Sequence, residues 1–352
     1  MALALDLAWR GWGRVQPNPL VGAVLLSPDG RVVGEGWHAE FGQRHAERVA
    51  LEAAGARARG ATMVVTLEPC NHHGKQPPCT DAVLAAGVRR VVAAMPDPNP
   101  EAHGGAATLA GQGVEVRIGL DREAAEAQNV IFLHRFRNTE RPFVALKLAT
   151  SLDGRIADAA GQSRWISGEQ ARAHVHWLRA GFDAIGVGGR TARQDDPQLT
   201  ARGAVEPRVA PRRVIFDTAA ELSTELAAVR TASEVETIVI ASPDAPTVNL
   251  RRLELAGVVV LRAESLEEAL AQLRARAVGS LMVEGGGRLA GALLAQGLVD
   301  RYYWVQSPLL LGEQGVPALT GVPSEPIARA ERWAVVERRA LGDDTLLVLD
   351  HR

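Results

Sequence analysis

Only two cysteines occur in 352 residues, Cys70 and Cys79, which excludes a scaffold built on several disulfides. Neither sign of charge predominates. The 39 Lys and Arg against 41 Asp and Glu leave a formal −2, with no long run of one sign, so a polynucleotide substrate and an electrostatic membrane anchor are both disfavoured. No apolar run approaches the ~20 residues that span a bilayer. Met1 to Trp12 carries neither a cationic leader nor a cleavage pattern, and two cysteines spent on one metal site would leave none for a disulfide and fit a reducing cytoplasm. The length suits two domains of ordinary size better than one large one.

The two thiols belong to a constellation. His45-Ala46-Glu47 is followed by Glu68-Pro69-Cys70 and, after eight further residues, by Cys79. One imidazole and two thiolates make a three-ligand zinc site that keeps its fourth tetrahedral position for water, whose pKa falls towards neutrality. No fourth protein ligand is evident, which argues against a closed structural site. Glu47 occupies the place of the non-ligand general acid/base in the zinc-deaminase pattern H-x-E…P-C-x-x-C. The chain departs from that pattern in having eight residues between the cysteines rather than two. That loop must fold back, for which Gly74 and Pro77-Pro78 are suited. His72 and His73, beside Cys70, are awkwardly placed to ligate the same ion.

Around these residues helix and strand signals alternate. Helices are expected over 2–12, 45–58, 79–86 and 105–111, and strands over 21–26, 31–36, 61–67, 88–94 and 114–118. The first two strands form a hairpin through Ser27-Pro28-Asp29-Gly30. The alternation predicts a three-layer α/β domain over residues 1–138. Pro69 reads as the first turn of a helix whose N-terminus would favour a thiolate at Cys70. Asn18, His38, Lys75, Asp97 and Asn99 are the loop polar residues within reach of a substrate. Asp97 and Asn99 equally suit the capping of turns, and Asn18 the bracing of its own loop. Lys75, between the cysteines, suits a phosphate or a pyrimidine carbonyl.

A helical stretch over 129–137 ends at Asn138-Thr139-Glu140-Arg141-Pro142, which reads as a boundary, and 143–352 then form a second α/β domain. Strands are expected over 143–149, 183–187, 213–217, 237–241, 258–261 and 280–284, with helices over 168–180 and 266–276. Gly188-Gly189-Arg190-Thr191 starts a glycine-bearing loop that ends in Asp195-Asp196-Pro197-Gln198-Leu199, and Gly285-Gly286-Gly287-Arg288-Leu289-Ala290 follows directly on a strand. Glycines let a backbone approach a pyrophosphate at a helix N-terminus, and a tight strand-to-helix turn is the other use of the same residues. The second run matches G-x-G-x-x-A. It lies at the wrong end of the domain, without an acidic residue about 20 positions on, so no Rossmann fold is expected.

Taken together, the Cys70–Cys79 spacing, Pro17-Asn18-Pro19-Leu20-Val21-Gly22, Gly34-Glu35-Gly36-Trp37-His38 and Asp97-Pro98-Asn99-Pro100 resemble the deaminase half of the bifunctional riboflavin-biosynthesis deaminase/reductase family. Leu146-Lys147-Leu148 ahead of Ser151-Leu152-Asp153-Gly154 resembles its reductase half. The likeness spans nearly the whole chain, and 219–275 carries least of it. It implies a cytidine-deaminase-like α/β/α domain followed by a dihydrofolate-reductase-like α/β domain, with zinc and NADPH as cofactors. The implied substrate is a small phosphorylated pyrimidine, with no nucleic acid or membrane partner, and a homo-oligomer stays open.

The same resemblance implies substrate contacts in the first half at Asn18, His38, Lys75, Asp97 and Asn99. In the second half it implies cofactor contacts at Ala149, Trp165, Thr191, Asp195, Thr218, Gly286, Gly287, Arg288, Leu289, Ala290, Gly291 and Ala292. Reductase substrate contacts fall at Ser163, Arg179, Leu199, Arg202 and Glu284. Lys147, Asp195 and a bound water remain candidates for the acid catalyst. Two other readings of the residues alone stay open: a nucleoside, guanine or tRNA deaminase with an unrelated second domain, and a structural-zinc module.

Overall fold

In the computed structural model, which describes residues 1–74 and 76–351, the chain divides into units spanning Met1–Arg137 and Asn138–Arg352. The first unit runs α1 (Ala2–Ala8), β1 (Gly22–Leu26), β2 (Val32–Trp37), α2 (Ala46–Ala54), β3 (Thr62–Val65), α3 (Cys79–Ala85), β4 (Arg90–Ala93), α4 (Gly105–Gly111), β5 (Glu115–Ile118), α5 (Arg122–Gln128) and α6 (Val130–Arg137). Its sheet has the order β2-β1-β3-β4-β5. β1 is antiparallel to β2 and β3, and β3, β4 and β5 are parallel.

The alternation of β1 divides its side chains between two helical layers. Val24 packs with Ala4 and Leu7 of α1, whereas Ala23 and Leu25 pack with Ala46, Ala50 and Ala54 of α2. α2 lies unusually close to β2. A Cβ at Gly34 would stand 2.3 Å from the Ala50 carbonyl oxygen, and one at Gly36 2.4 Å from that of Ala46, so only glycine fits at either position. This close packing sets the height of α2, and with it of His45 and Glu47, over the sheet.

No helix starts at Pro69. Pro69 and Cys70 lie in irregular backbone, tied down where Asn71 N–H donates to the Ala102 carbonyl and Thr80 N–H to that of Cys70. The helix N-terminus belongs instead to Cys79, the first residue of α3.

The second unit runs β6 (Phe143–Thr150), β7 (Arg155–Ala157), α7 (Glu169–Ala180), β8 (Ala184–Gly188), α8 (Gly189–Asp195), β9 (Arg212–Phe216), α9 (Ala227–Arg230), β10 (Thr237–Ala241), α10 (Thr247–Leu255), β11 (Val259–Arg262), α11 (Leu266–Ala275), β12 (Ser280–Glu284), α12 (Gly287–Ala295), β13 (Arg301–Gln306), β14 (Val316–Pro317), β15 (Ala334–Leu341) and β16 (Asp344–Asp350). Nine strands form one sheet in the order β11-β10-β9-β8-β12-β6-β13-β16-β15. It is parallel from β11 to β13, and the β15–β16 hairpin adds antiparallel to β13.

Leu281 and Val283 join Val144, Leu146 and Leu148 in a core with α11 and α12. Strand alternation therefore turns Lys147 and its register partner Glu284 to the opposite face. Residues 189–195, expected as loop, form α8. Their tight start follows from Asp217, whose Oδ1 would stand 2.6 Å from a Cβ at Gly189. Among the described residues no helix is long and apolar enough to cross a membrane.

Candidate active sites

In the first unit His45 is the N-cap of α2, and its Nδ1 lies 3.5 Å from Cys70 Sγ and 3.4 Å from Cys79 Sγ. A tetrahedral zinc with Zn–N of about 2.0 Å and Zn–S of about 2.3 Å separates its nitrogen and sulfur ligands by about 3.5 Å, so the donor set fits that ion. The long inter-cysteine loop folds back as required, with Cys79 N–H donating to Cys70 Sγ at 3.4 Å.

Between themselves the two thiols compete for one proton. The hydrogen bond from Cys79, helped by His45 and opposed by burial, holds Cys70 at about 4. The same bond and burial drive Cys79 well above the thiol range, and His45 is raised chiefly by its bond to Cys70. A divalent cation held by these three residues would require both thiols and the imidazole nitrogen free of their protons. Glu47, in the first turn of α2, is only 3% exposed. Burial raises its pKa against the opposing pull of His45, the direction that suits a carboxyl acting as general acid as well as base.

A cavity of about 260 Å³ opens over these groups, lined among others by Asn18, His38, His45, Glu47, Cys70, Asp97 and Asn99. Of the residues expected in this half, Lys75 lies outside the described residues. His38 Nδ1 donates to the Arg44 carbonyl at 3.2 Å, so its Nε2 accepts from Asn18 Nδ2 at 3.1 Å. Burial brings this imidazole down to about 4. Asp97 is carried up to about 6, first by burial and further by the nearby Glu68 carboxylate.

Asp97 Oδ1 accepts from Asn99 N–H at 2.9 Å and Asn99 Oδ1 from Glu101 N–H at 3.1 Å, so both residues cap their loop and line the cavity at once. The sequence reading missed Phe41, Gln43, Phe132 and Glu68 in this wall. Glu68 alone had a signal, its place beside Pro69-Cys70. Its two oxygens accept from Asp97 N–H at 3.0 Å and Ala106 N–H at 2.8 Å, joining the metal segment to the Asp97 loop.

In the second unit a polar cluster sits on the face of β6 and β12 that carries Lys147 and Glu284. Arg179 grips Glu284 through Nε at 2.6 Å and Nη2 at 2.9 Å, and gives Nη1 to the Thr200 carbonyl at 3.0 Å. Burial would raise Glu284, but Arg179 outweighs it and the carboxyl lies below its usual range. Burial lowers Lys147, with Glu284 opposing and Arg179 assisting. Leu199, buried with φ of +52°, leads into Thr200, and the exposed Arg202 donates to Gln198 Oε1 at 3.1 Å. Arg179, Glu284, Leu199, Arg202 and Lys147 therefore share one locality, with Arg179 and Glu284 engaged chiefly by each other. Ser163 lies on the loop before α7, as does Trp165, 70% exposed beneath the Arg172 guanidinium at 4.6 Å from its ring centre.

α8 and α12 begin at the C-terminal ends of the neighbouring parallel strands β8 and β12. In the sheet order β9 lies to one side of this pair and β13 to the other, so the chain diverges here as at the ligand-binding switch points of open α/β sheets. A Cβ at Gly286 would stand 3.0 Å from Thr191 Oγ1, and one at Gly188 3.9 Å from Leu289 Cβ, so Thr191, Gly286 and Leu289 converge. Gly287 and Gly291 serve a different end. Their added Cβ atoms would stand 2.6 Å from the Pro317 and 1.9 Å from the Thr320 carbonyl oxygens, so these glycines admit a neighbouring segment. Ala290 is buried, Arg288 exposed and Ala292 half-buried. Asp195 closes α8, raised by burial. Thr218 accepts from Ser242 N–H through its carbonyl at 2.9 Å, and Ala149 is half-buried on β6.

Two family models match the chain: the RibD C-terminal domain over residues 142–347 and the cytidine and deoxycytidylate deaminase zinc-binding region over residues 1–95. The riboflavin biosynthesis protein RibD of Escherichia coli (strain K12) is 41% identical over 379 residues, covering 99% of this chain and 98% of its own. That of Aquifex aeolicus is 40% identical over 315 residues, covering 89% and 87%. The chain is also similar to the solved diaminohydroxyphosphoribosylaminopyrimidine deaminase/5-amino-6-(5-phosphoribosylamino)uracil reductase of Thermotoga maritima. That match has a TM-score of 0.84 at 36% identity and covers 100% of this chain and 97% of the other. Acinetobacter baumannii RibD, form 1, gives a TM-score of 0.83 at 35% identity and covers 99% and 97%.

Proposed function

The chain belongs to the RibD family of bifunctional riboflavin-biosynthesis deaminase/reductases, and from that premise we propose how its residues divide the two reactions. Residues 1–138 hydrolytically deaminate 2,5-diamino-6-ribosylamino-4(3H)-pyrimidinone 5′-phosphate to 5-amino-6-(5-phosphoribosylamino)uracil. Residues 143–352 then reduce its ribosyl group to ribityl. The observation that carries the first assignment is the set of nitrogen–sulfur separations at His45, Cys70 and Cys79, beside a buried Glu47 at one cavity.

His45, Cys70 and Cys79 hold zinc, which when bound lowers the pKa of a coordinated water towards about 7. Glu47 takes a proton at a carboxylate oxygen and returns it to the departing ammonia, for which its raised pKa is suited. Asn18, with Nδ2 engaged by His38, keeps Oδ1 as an acceptor for a pyrimidine N–H. Asp97 and Asn99 line the same cavity, and Lys75 is assigned to substrate on the family resemblance.

In the second unit NADPH, when bound, supplies hydride to C1′. Thr191, Asp195, Gly286 and Leu289, with Ala149, Trp165, Thr218 and the exposed Arg288, are assigned to it, a reading supported by two helix starts at a switch point. Arg202 is left to receive the intermediate's phosphate, and Lys147, in the same locality, is the proton donor. β15 is the last strand of its sheet among the described residues, with Val335 and Val336 exposed, which supports association with a second copy, and two free thiols kept as ligands suit the cytoplasm. Mass spectrometry of the pyrimidine incubated with the chain tests the whole. The deaminated ribosyl compound is expected without NADPH and the ribityl compound with it; an unaltered amino group would overturn the reading.

A further inference from the structure

Two donors meet on one carbonyl in the reductase cluster. Arg179 Nη1 and His176 Nδ1 both reach the Thr200 oxygen, at 3.0 and 3.2 Å. Because Nδ1 is the donor, neutral His176 presents a proton-free Nε2. The charges that act on this ring are Arg179 on its own helix, Arg202 on the following loop and Glu284 on β12. Lys147 on β6 stands beyond the last, and Glu284 is itself gripped by Arg179. Burial and the two arginines keep the imidazole below its ordinary range, against the weaker pull of the Thr200 bond and Glu284. The Thr200 hydroxyl is buried with no hydrogen-bond partner among the described residues, a donor without an acceptor in the same cluster. With Arg179 committed to Glu284 and the Thr200 carbonyl, an imidazole one proton short, the exposed Arg202 guanidinium and an unused hydroxyl are together the complement of a dianion.

We propose that His176 is a ligand of the intermediate's 5′-phosphate, its Nε2 taking up a proton as the dianion settles beside Arg202. This rests on the reading of Arg202 given above. The phosphate adds negative charge next to a ring that the arginines hold neutral, so binding and protonation assist each other. A phosphate remote from C1′ is held about equally in ground and transition states, so His176 acts on KM and leaves kcat alone.

The test is calorimetric titration of the full chain, saturated with NADP⁺ to prevent turnover, with 5-amino-6-(5-phosphoribosylamino)uracil. It is run at mildly alkaline pH, where free phosphate is already the dianion, in two buffers of different ionisation heat. Proton uptake is expected with the phosphorylated compound and none with its dephosphorylated form. His176→Gln should abolish the uptake and raise KM about tenfold. Equal uptake by the two compounds overturns the proposal, and that comparison needs no variant. Equal uptake by wild type and a folded His176→Gln also overturns it. Arg202→Ala with unchanged KM would instead remove the reading beneath it, by moving the phosphate elsewhere.

Discussion

In the first unit the chemistry rests on side chains, three donor atoms within 4.8 Å of one another and a buried carboxyl beside them. In the second the candidate cofactor cradle is mostly backbone at the starts of α8 and α12, and the charged cluster is held by one ion pair, Arg179 with Glu284. A site made of side chains fails locally when one ligand is removed. A site made of close backbone approaches fails through packing, wherever a Cβ is added.

Four substitutions sharpen that contrast. Cys79→Ser has the largest expected effect: zinc content falls to background by metal analysis and ammonia release with it, while NADPH oxidation on supplied intermediate is unchanged. A parallel loss of NADPH oxidation would show that the two sites are not independent. Glu47→Gln comes next, retaining zinc but slowing deamination about 10²–10⁴-fold, and a normal rate would remove Glu47 from the mechanism. Gly291→Val forces side-chain atoms onto the Thr320 carbonyl and should cost about 3 kcal/mol, read as a lower denaturant midpoint with zinc content intact.

The smallest effect contrasts two carboxyls of opposite sign. Asp97 is raised to about 6, so its contribution to stability is complete below its unfolded value of about 4 and is lost as pH climbs through 6. Glu284 is lowered, so its contribution is present above its unfolded pKa and is lost as pH falls through the folded one. Asp97→Asn should flatten the decline between about pH 4 and 6. Denaturant midpoints that run parallel for wild type and variant across that window would contradict the burial of this carboxyl.

The approach of His45, Cys70 and Cys79 was legible because few residue types bind zinc and their spacing is chemically restrictive. The three-layer architecture was legible too, since helix and strand signals alternate along the first 138 residues. Phe41 and Phe132 were not, because an aromatic residue gives no sign of whether it lines a cavity or fills a core. α8 was hidden by its two leading glycines, whose purpose depends on Asp217, distant in sequence. α10, with Val248 and Leu255 exposed, has too broken an apolar stripe to announce itself. No helix or strand was placed after the glycine run that ends at Ala290, although Arg301–Gln306 carries a Tyr-Tyr-Trp-Val run of strand-forming residues. The pairing of Arg179 with Glu284 spans 105 positions, and no local pattern signals it.

Gly34 and Gly36 carry no functional group, yet they act as the shims under α2. Any side chain there lifts the helix, and His45 and Glu47 rise with it away from the two thiolates, which are mounted on other segments. The separation that zinc reads, about 3.5 Å from nitrogen to sulfur, is thus machined into a strand that touches neither metal nor substrate. In a library of random variants, substitutions at these two positions would be scored as active-site lesions, and a map of metal affinity would extend to a hairpin that no ligand list contains.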